Sequence, residues 1–489
     1  MISVISQEKL IKTLQMYNPW WKSAEAIRAN TKQHKRFAYY EAMKVISSSS
    51  LRRFAVLSGA RRVGKTTILY QMIEKLINDG VNPRNILYVT FDNPILKMVS
   101  VDDVFSTYET LYPIEGERYL FFDEIQYTDS WELWMKVFYD LHKDIKLTAT
   151  GSASPVLEQG SSDSGVGRWS VLKVPTLSFF EYCELLELPC KPQLSNFGDD
   201  LKFTDLPKMT TGELADLMNQ FSEPLLIQHF NRYLTIGGFP ELALYDNDEN
   251  AQRILREDVV DKVIKRDVLT LFNVRNPLSM EKLFLYLCMT SSDIFNKQTA
   301  SKELEISASS IEDYISFLEK SNLIYISAST MVGKRAALRG RPKIYIADAA
   351  IRNAVLMLDD VLADDTEMGV VVETAVYKHV MSYYHNSGAV NIGYYRKAKD
   401  NQKEVDIVIN MPRTKILCEV KYRNNPSVSA TDAIITLSNE EGANVSGSFI
   451  ITKALTDYGL TKHDTLVPVF RIPALVFMYL LGKGRMTEI

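Results

Sequence analysis

The sequence predicts an α/β protein of several domains whose front half is a parallel sheet covered by helices. Three observations predict it. The chain has 489 residues, whereas single cores stop growing near about 250–300 residues. From Leu51 to about Lys173, short β-rich apolar runs alternate with longer helical stretches, as parallel strands covered on both faces require. Hydrophobic residues make up 46% and charged residues 24% of the chain, with 22 Gly and 17 Pro, which excludes disordered, collagenous and low-complexity classes.

No apolar run reaches the roughly 18–20 residues that span a bilayer; the best, Pro473 to Leu481, is about half that length and lacks the layout of a signal peptide. A cytoplasmic protein is expected. The 4 cysteines, Cys183, Cys190, Cys288 and Cys418, lie far apart without a CxxC, so they read as core thiols and suggest neither a disulfide framework nor a zinc site. The net charge of -4 excludes a globally basic nucleic-acid coat. Local basic patches stay open, because screening confines surface fields to about 10 Å.

In chain order, residues 1–50 are a helical extension ending in the serine run Ser47 to Ser50. Residues 51–174 hold the strand series Phe54 to Leu57, Ile86 to Phe91, Tyr119 to Phe122 and Lys146 to Thr150. Residues 175–290 show helical periodicity, interrupted by Gly237-Gly238-Phe239-Pro240, and read as a helical, lid-like module. Residues 291–358 carry a helix-turn-helix pattern followed by two apolar runs, the arrangement of a winged helix. After the acidic loop Asp359 to Asp365, residues 366–489 combine a helix from about 368 to 385 with strands at 392–396, 404–409 and 415–421, a last α/β domain.

Gly59-Ala60-Arg61-Arg62-Val63-Gly64-Lys65-Thr66 fits G-x4-G-K-[ST], directly after a strand and before the helical stretch Thr67 to Ile77. In such a loop the glycines let backbone N–H groups close around phosphate and the helix N-terminus favours negative charge. Lys65 supplies charge to the terminal phosphate oxygens and the Thr66 hydroxyl can ligate Mg²⁺. Arg61, Arg62 and Thr67 flank the same cradle. Tyr119 to Phe122 then runs into Asp123-Glu124, two acids where a central strand emerges at the carboxyl edge of the sheet. Asp123 can reach the Mg²⁺ shell, and Glu124 can polarise the attacking water, the role that separates hydrolysis from binding. Thr150-Gly151-Ser152 ends a third strand where a side chain can sense the terminal phosphate. The small-residue segment Ser161 to Gly167 delivers Arg168, which can stabilise transition-state charge within the chain or in a neighbouring subunit of a homo-oligomer.

These residues, with Phe91-Asp92-Asn93-Pro94, Ile125-Gln126, Leu177-Ser178-Phe179 with Glu181, and Gly237-Gly238-Phe239-Pro240-Glu241, resemble bacterial and archaeal P-loop ATPases of the AAA-like, STAND-related group whose C-terminal half is DUF4143. The resemblance covers about residues 50 to 425. It implies ATP as the nucleotide, a helical region after the ATPase core, and Arg168 near the phosphates.

Farther on, Glu404 to Ile409 and Lys415 to Lys421 read as a β-hairpin with a period of two. Ile416, Cys418 and Val420 share one face, and Leu417, Glu419 and Lys421 the other. Asp406 on one strand and Glu419-x-Lys421 on its neighbour can bring two carboxylates and an ammonium together. Glu373, on the preceding helix, can add a third acid, enough to hold Mg²⁺ and orient water on a phosphodiester. The set Glu373, Asp406, Glu419 and Lys421 resembles the PD-(D/E)xK nuclease superfamily, with Val405 in place of the proline before Asp406; a restriction-endonuclease-like domain is implied, either active or used for binding.

In the helix-turn-helix segment, Ile311, Tyr314, Ile315 and Leu318 line one helix face and Glu312, Asp313 and Glu319 the other. Three acids would repel phosphates, so this helix reads as a packing or partner-binding element. Lys334, Arg335, Arg339, Arg341 and Lys343 crowd the next stretch, a basic hairpin able to track a phosphate backbone without sequence preference. The expectation is an ATP- and Mg²⁺-dependent ATPase coupled to a nuclease-like domain acting on nucleic acid, DNA ahead of RNA. Its alternative is a nucleotide-controlled switch whose rear domains only bind nucleic acid or a protein.

Overall fold

The computed structural model describes residues 5–48, 50–112, 115–152, 167–264, 274, 276–330, 340–358, 361–385, 389–397 and 404–487. They form two compact units, Met1–Pro175 with Lys320–Asn322, and Thr176–Glu319 with Leu323–Glu488.

The first unit runs α1 (Gln7–Tyr17), α2 (Phe37–Ser47), β1 (Phe54–Ser58), α3 (Lys65–Asn78), β2 (Ile86–Thr90), α4 (Val101–Leu111), β3 (Arg118–Asp123), α5 (Trp131–Leu141), β4 (Ile145–Gly151) and β5 (Trp169–Lys173). Every strand pair is parallel, in the order β2-β3-β4-β1-β5. β1 is buried at every residue and β3 at all but one, because a parallel strand is covered on both faces and cannot alternate with polar residues. In α3, Ile68, Leu69, Met72, Ile73 and Leu76 recur at helical spacing and are buried. A capping box of Ser100 and Asp103 starts α4.

The N-terminal extension protects the β2 edge of this sheet. Asn18 is fully buried and substitutes for a missing strand: its Oδ1 accepts the Tyr88 N–H at 2.7 Å and its Nδ2 donates to the Tyr88 carbonyl at 2.9 Å. The indoles of Trp20 and Trp21 donate to the Ile86 carbonyl at 3.2 and 2.8 Å. An exposed edge would otherwise offer these groups to another chain.

The second unit begins with helices α6 (Phe179–Leu185), α7 (Thr211–Asn219), α8 (Pro224–Ile236), α9 (Pro240–Ala243), α10 (Asp248–Ile254), α11 (Pro277–Met289), α12 (Lys297–Leu304) and α13 (Ala308–Lys320). There follow β6 (Ile324–Ser329), β7 (Lys343–Ile346), α14 (Ala349–Leu356), α15 (Asp365–Tyr384), β8 (Asn391–Arg396), β9 (Glu404–Asn410) and β10 (Lys415–Lys421). The chain closes with α16 (Ala433–Glu440), β11 (Val445–Thr452), β12 (Gly459–Leu460), β13 (Val469–Pro473) and α17 (Ala474–Thr487). The strands make one 8-stranded mixed sheet, β12-β13-β11-β10-β9-β8-β6-β7.

The predicted hairpin is present, with Ile416 opposite Ile409 and Cys418 opposite Ile407. Those four side chains join a large core with α15 and α17, whereas Val408 and Leu417 join a second core with Ile434 and Leu437 of α16. β6 and β7 pair antiparallel, as expected after a helix-turn-helix. However, β6 also runs parallel to β8, with Ala328 beside Gly393. The hairpin expected to project as a free wing is therefore the edge of the C-terminal sheet; its basic residues Lys334, Arg335 and Arg339 lie outside the described residues.

A buried polar network explains Gly237-Gly238 and Leu177-Ser178-Phe179. Asp348 and Lys378 pair at 3.0 Å with side chains 2% and 3% exposed. Asp348 also accepts from the Thr176 hydroxyl at 2.6 Å, the Gly238 N–H at 3.2 Å and the Ala350 N–H at 3.0 Å. Lys378 donates to the Tyr233 hydroxyl at 2.6 Å and the Leu177 carbonyl at 3.0 Å. Burial alone would raise the Asp348 pKa, but Lys378 and these hydrogen bonds hold it below the usual carboxylate range. A Cβ at position 238 would come within 2.4 Å of the Leu177 carbonyl oxygen, so only glycine admits this approach.

His379 adds a pH dependence to this core. Its Nε2 lies 2.9 Å from the Phe179 N–H, which can only donate, so Nε2 accepts and the proton sits on Nδ1, 2.6 Å from the Ala375 carbonyl. Burial, with Lys378 beside it, lowers its pKa to about 3, against smaller opposing effects of the Ala375 carbonyl, Asp348 and Glu181. The folded state therefore binds fewer protons than the unfolded chain below the ordinary histidine pKa of about 6.5, and stability is lost as pH falls from there towards 3. His379→Leu removes this dependence. The stability advantage of wild type over the variant should shrink by about 2 kcal/mol between pH 6.5 and 5, read from urea unfolding; an unchanged difference refutes the neutral, buried imidazole.

Candidate active site

The phosphate loop links the carboxyl end of β1 to α3. A Cβ on Gly59 would stand 2.2 Å from the Val174 carbonyl oxygen, so the loop can leave the sheet here only as glycine. Arg62 and Gly64 have left-handed backbones, with φ of 63° and 92°, which turns successive N–H groups towards one hollow. Because α3 begins at Lys65, its first-turn N–H groups have no partner within the helix and point outward with the positive end of its dipole. The Lys65 ammonium is folded onto the Gly59 and Ala60 carbonyls, 2.9 Å from each. Arg61 donates to the Tyr127 hydroxyl at 2.7 Å, and Thr67 is partly exposed in the helix's first turn.

β3 and β4 deliver the partners at the same edge of the sheet. Thr66 donates its hydroxyl to Asp123 Oδ2 at 2.8 Å, and Tyr88 donates to the same oxygen at 2.9 Å. Thr150 donates to Asp123 Oδ1 at 2.5 Å and accepts the Glu124 N–H at 3.0 Å. Its side chain thus orients both acids, a more specific duty than the phosphate sensing expected of it. Glu124 takes a left-handed backbone with φ of 52°, a conformation that costs a non-glycine residue energy and recurs at functional sites. Gln126 holds its Oε2 at 2.5 Å and itself donates to Ser152 Oγ at 2.9 Å, while Oε1 lies 4.0 Å from Lys65 Nζ. Burial raises the Glu124 pKa, with Lys65 opposing and Asp123 adding to the rise. A more basic carboxylate is a better proton acceptor, as a residue that polarises water needs to be.

Three contributors carry no signal in the loop motif. Arg36, from the N-terminal extension, is buried and donates to the Val63 carbonyl at 2.7 Å, bracing the loop from outside. Tyr88 and Gln126 position the two acids. Arg36 and Tyr88 are recognisable only once the fold is known, whereas Gln126 stands two residues after Glu124 in a segment already singled out by sequence.

Arg168 requires a correction. β5 is parallel to β1, with Trp169 beside Phe54 and Lys173 beside Ser58. Arg168 therefore stands at the amino edge of the sheet and the loop at the carboxyl edge, a strand length of roughly 15 Å away. Its guanidinium grips Asp140 at 3.0 and 3.2 Å. It does not approach the phosphates of its own chain, because a residue that opens a parallel strand cannot share an edge with residues that close one.

The C-terminal carboxylates converge differently from the expectation. Lys343, expected on an exposed hairpin, is buried. Its ammonium lies 3.1 Å from Glu373 and 3.2 Å from Asp406, and it pairs with Glu404. Arg341 is the exposed basic residue of this stretch among those described. Asp406 Oδ2 accepts the Val420 N–H at 2.8 Å. Lys421 pairs with Glu419 at 3.2 Å and with Asp432 at 2.6 Å. Glu419 Oε2 has no hydrogen-bond partner, and burial pushes this carboxyl up to about 7 against the pull of Lys421. Among the described residues no three His, Cys, Asp or Glu side chains are placed to hold a metal ion.

Fold and first site together define an AAA-type P-loop ATPase module. Residues 51–183 match the family model described as AAA domain. Residues 227–362 match a domain of unknown function, DUF8612, and residues 368–472 match the domain of unknown function DUF4143. The chain is thus similar to AAA domains in its front half and to DUF4143 domains in its rear part. Among curated proteins it is 25% identical over 279 residues to uncharacterized protein MJ1544 of Methanocaldococcus jannaschii, the match spanning 56% of either chain. It is 24% identical over 400 residues to uncharacterized protein MJ1637 of the same organism, 80% of either chain. Among solved structures, the Aeropyrum pernix ORC2 protein, in ADPNP-ADP complexes, aligns with a TM-score of 0.33 at 13% identity, over 65% of this chain and 92% of that one. Thermotoga maritima RuvB aligns with a TM-score of 0.28 at 15% identity, over 59% and 88%. No described helix is long and apolar enough to cross a membrane.

Proposed function

We propose that the protein is a Mg²⁺-dependent ATPase whose nucleotide state controls what its second unit binds. The observation that carries this reading is the constellation of Lys65, Thr66, Asp123 and Glu124 at one sheet edge. The donors fit a nucleotide triphosphate: a glycine-only turn at Gly59, left-handed Arg62 and Gly64, an open helix N-terminus and a lysine. Thr66 and Asp123 are the residues that would hold Mg²⁺, which supplies charge neutralisation of the phosphate oxygens when bound. Lys65 exchanges its carbonyl partners for phosphate oxygens. Asp123, fixed by Thr150 and Tyr88, keeps Thr66 oriented. Glu124, fixed through Gln126, accepts a proton from the attacking water as it adds to the terminal phosphorus, and ADP leaves with the bridging oxygen.

For the second unit we favour binding over cutting. Lys343 pairs with two of the three acids expected to hold a metal, Glu373 and Asp406, and Lys421 is committed to Glu419 and Asp432. Exposed Arg341, adjoining Lys334, Arg335 and Arg339 in sequence, supports nucleic acid, DNA ahead of RNA, as the bound partner. The test uses labelled DNA and RNA with wild type and Asp406→Ala, in Mg²⁺ or Mn²⁺, with a non-hydrolysable ATP analogue or ADP. The expected result is salt-sensitive binding that changes between the two nucleotides, without cleavage by either protein. Cleavage that Asp406→Ala eliminates would establish the nuclease instead, and indifference to both nucleic acids would redirect the search to a protein partner.

A further inference from the structure

The acids of the second unit surround a cation that the chain itself provides. Lys343 opens β7, whose pairing with β6 fixes its backbone. Two residues on, Tyr345 stacks on Tyr377 with ring centroids 4.0 Å apart and planes 11° apart, and its hydroxyl donates to Glu373 Oε1 at 2.8 Å. The Lys343 side chain is 4% exposed and pairs with Glu373 of α15 and with Glu404 and Asp406 of β9. The ring of Tyr394 adds a cation–π contact at 5.7 Å. A buried ammonium is tolerated only where carboxylates compensate its lost hydration, and three gathered carboxylates are tolerated only with a cation among them. Each group therefore requires the other.

We propose that Lys343 is a tethered counter-cation that takes the place of a divalent metal among Glu373, Glu404 and Asp406, so that these acids are held together without a metal ion. A Mg²⁺ ion needs oxygens at about 2.0–2.1 Å in an octahedral shell. The inner oxygens of Glu373 and Asp406 already lie at hydrogen-bond distance from Nζ, and a second cation among them would face the ammonium at close range. Burial by itself would lower the pKa of Lys343, but Glu373, Asp406 and Glu404 outweigh it and hold the lysine charged. Since the tether is a strand of the same sheet, the cation cannot be exchanged or chelated as a metal can.

The test is a nucleotide-free Mn²⁺ titration of the full chain, following the free-ion signal by electron paramagnetic resonance, in an Asp123→Asn background that silences the first site. Wild type at position 343 and Asp406→Asn should bind Mn²⁺ alike. Lys343→Met should gain one Mn²⁺ per chain, and Lys343→Met with Asp406→Asn should lose it again. If Lys343→Met folds poorly, recovery of native structure on refolding with Mn²⁺, absent in the double variant, reports the same gain. A Mn²⁺ ion held with Lys343 intact and lost in Asp406→Asn overturns the proposal, as does a Lys343→Met chain that neither gains an ion nor is rescued by one.

Discussion

Lys65→Ala is expected to abolish ATP binding, with affinity falling at least about 100-fold, while Glu124→Gln binds ATP normally and hydrolyses it about 10²–10³ times more slowly. The two effects differ because the two side chains do different work. Lys65 is the cation at the phosphates, and alanine at that position leaves their charge to backbone N–H groups alone. Glu124 is held by Gln126 and by the Thr150 hydroxyl on its backbone, so an isosteric amide keeps the geometry and loses only the ability to accept a proton. Titration calorimetry with Mg²⁺-ATP and a phosphate-release assay separate them. Turnover unchanged in both variants would remove the ATPase reading, provided their melting temperatures match wild type.

The largest stability effect is expected from Asp348→Ala, which should cost about 3–5 kcal/mol in urea unfolding. The variant strands Lys378 in the core with its charge, leaving it the Tyr233 hydroxyl and the Leu177 carbonyl, and it takes the acceptor from Thr176 and the Gly238 N–H. Lys378→Met should cost less, since Asp348 would keep those donors. The double variant Asp348→Ala with Lys378→Met should cost less than the two single losses added together, because neither charge is left unpaired. An Asp348→Ala protein within 1 kcal/mol of wild type would mean that the buried pair contributes little.

Much of the first site was legible. The loop from Gly59 to Thr66 and the pair Asp123-Glu124 are each contiguous in sequence, and each sits next to a strand whose apolar run announces it. The period of two in Lys415 to Lys421 likewise placed Ile416 and Cys418 in one core and Leu417 in another. Less legible were residues whose partners lie far along the chain. Asn18 falls within the helical extension expected at 1–50, yet it completes the edge of β2. Gly237-Gly238 reads as a loop, yet it admits a buried aspartate more than a hundred residues away.

Arg168 and Lys343 mark the boundary most clearly. Local composition shows that one is an arginine after a small-residue segment and the other a lysine in a basic stretch; it does not place Arg168 away from its own chain's phosphate loop or Lys343 in a buried cluster. Strand direction sends Arg168 to the edge away from the phosphates, and the pairing of β6 with β8 draws Lys343 inward to the acids. Short-range spacing encodes helices, strands, caps and phosphate loops, since each depends on neighbours a few residues apart. Which charge neutralises which depends on the order in which strands assemble, a property of the whole folded chain that no local window contains.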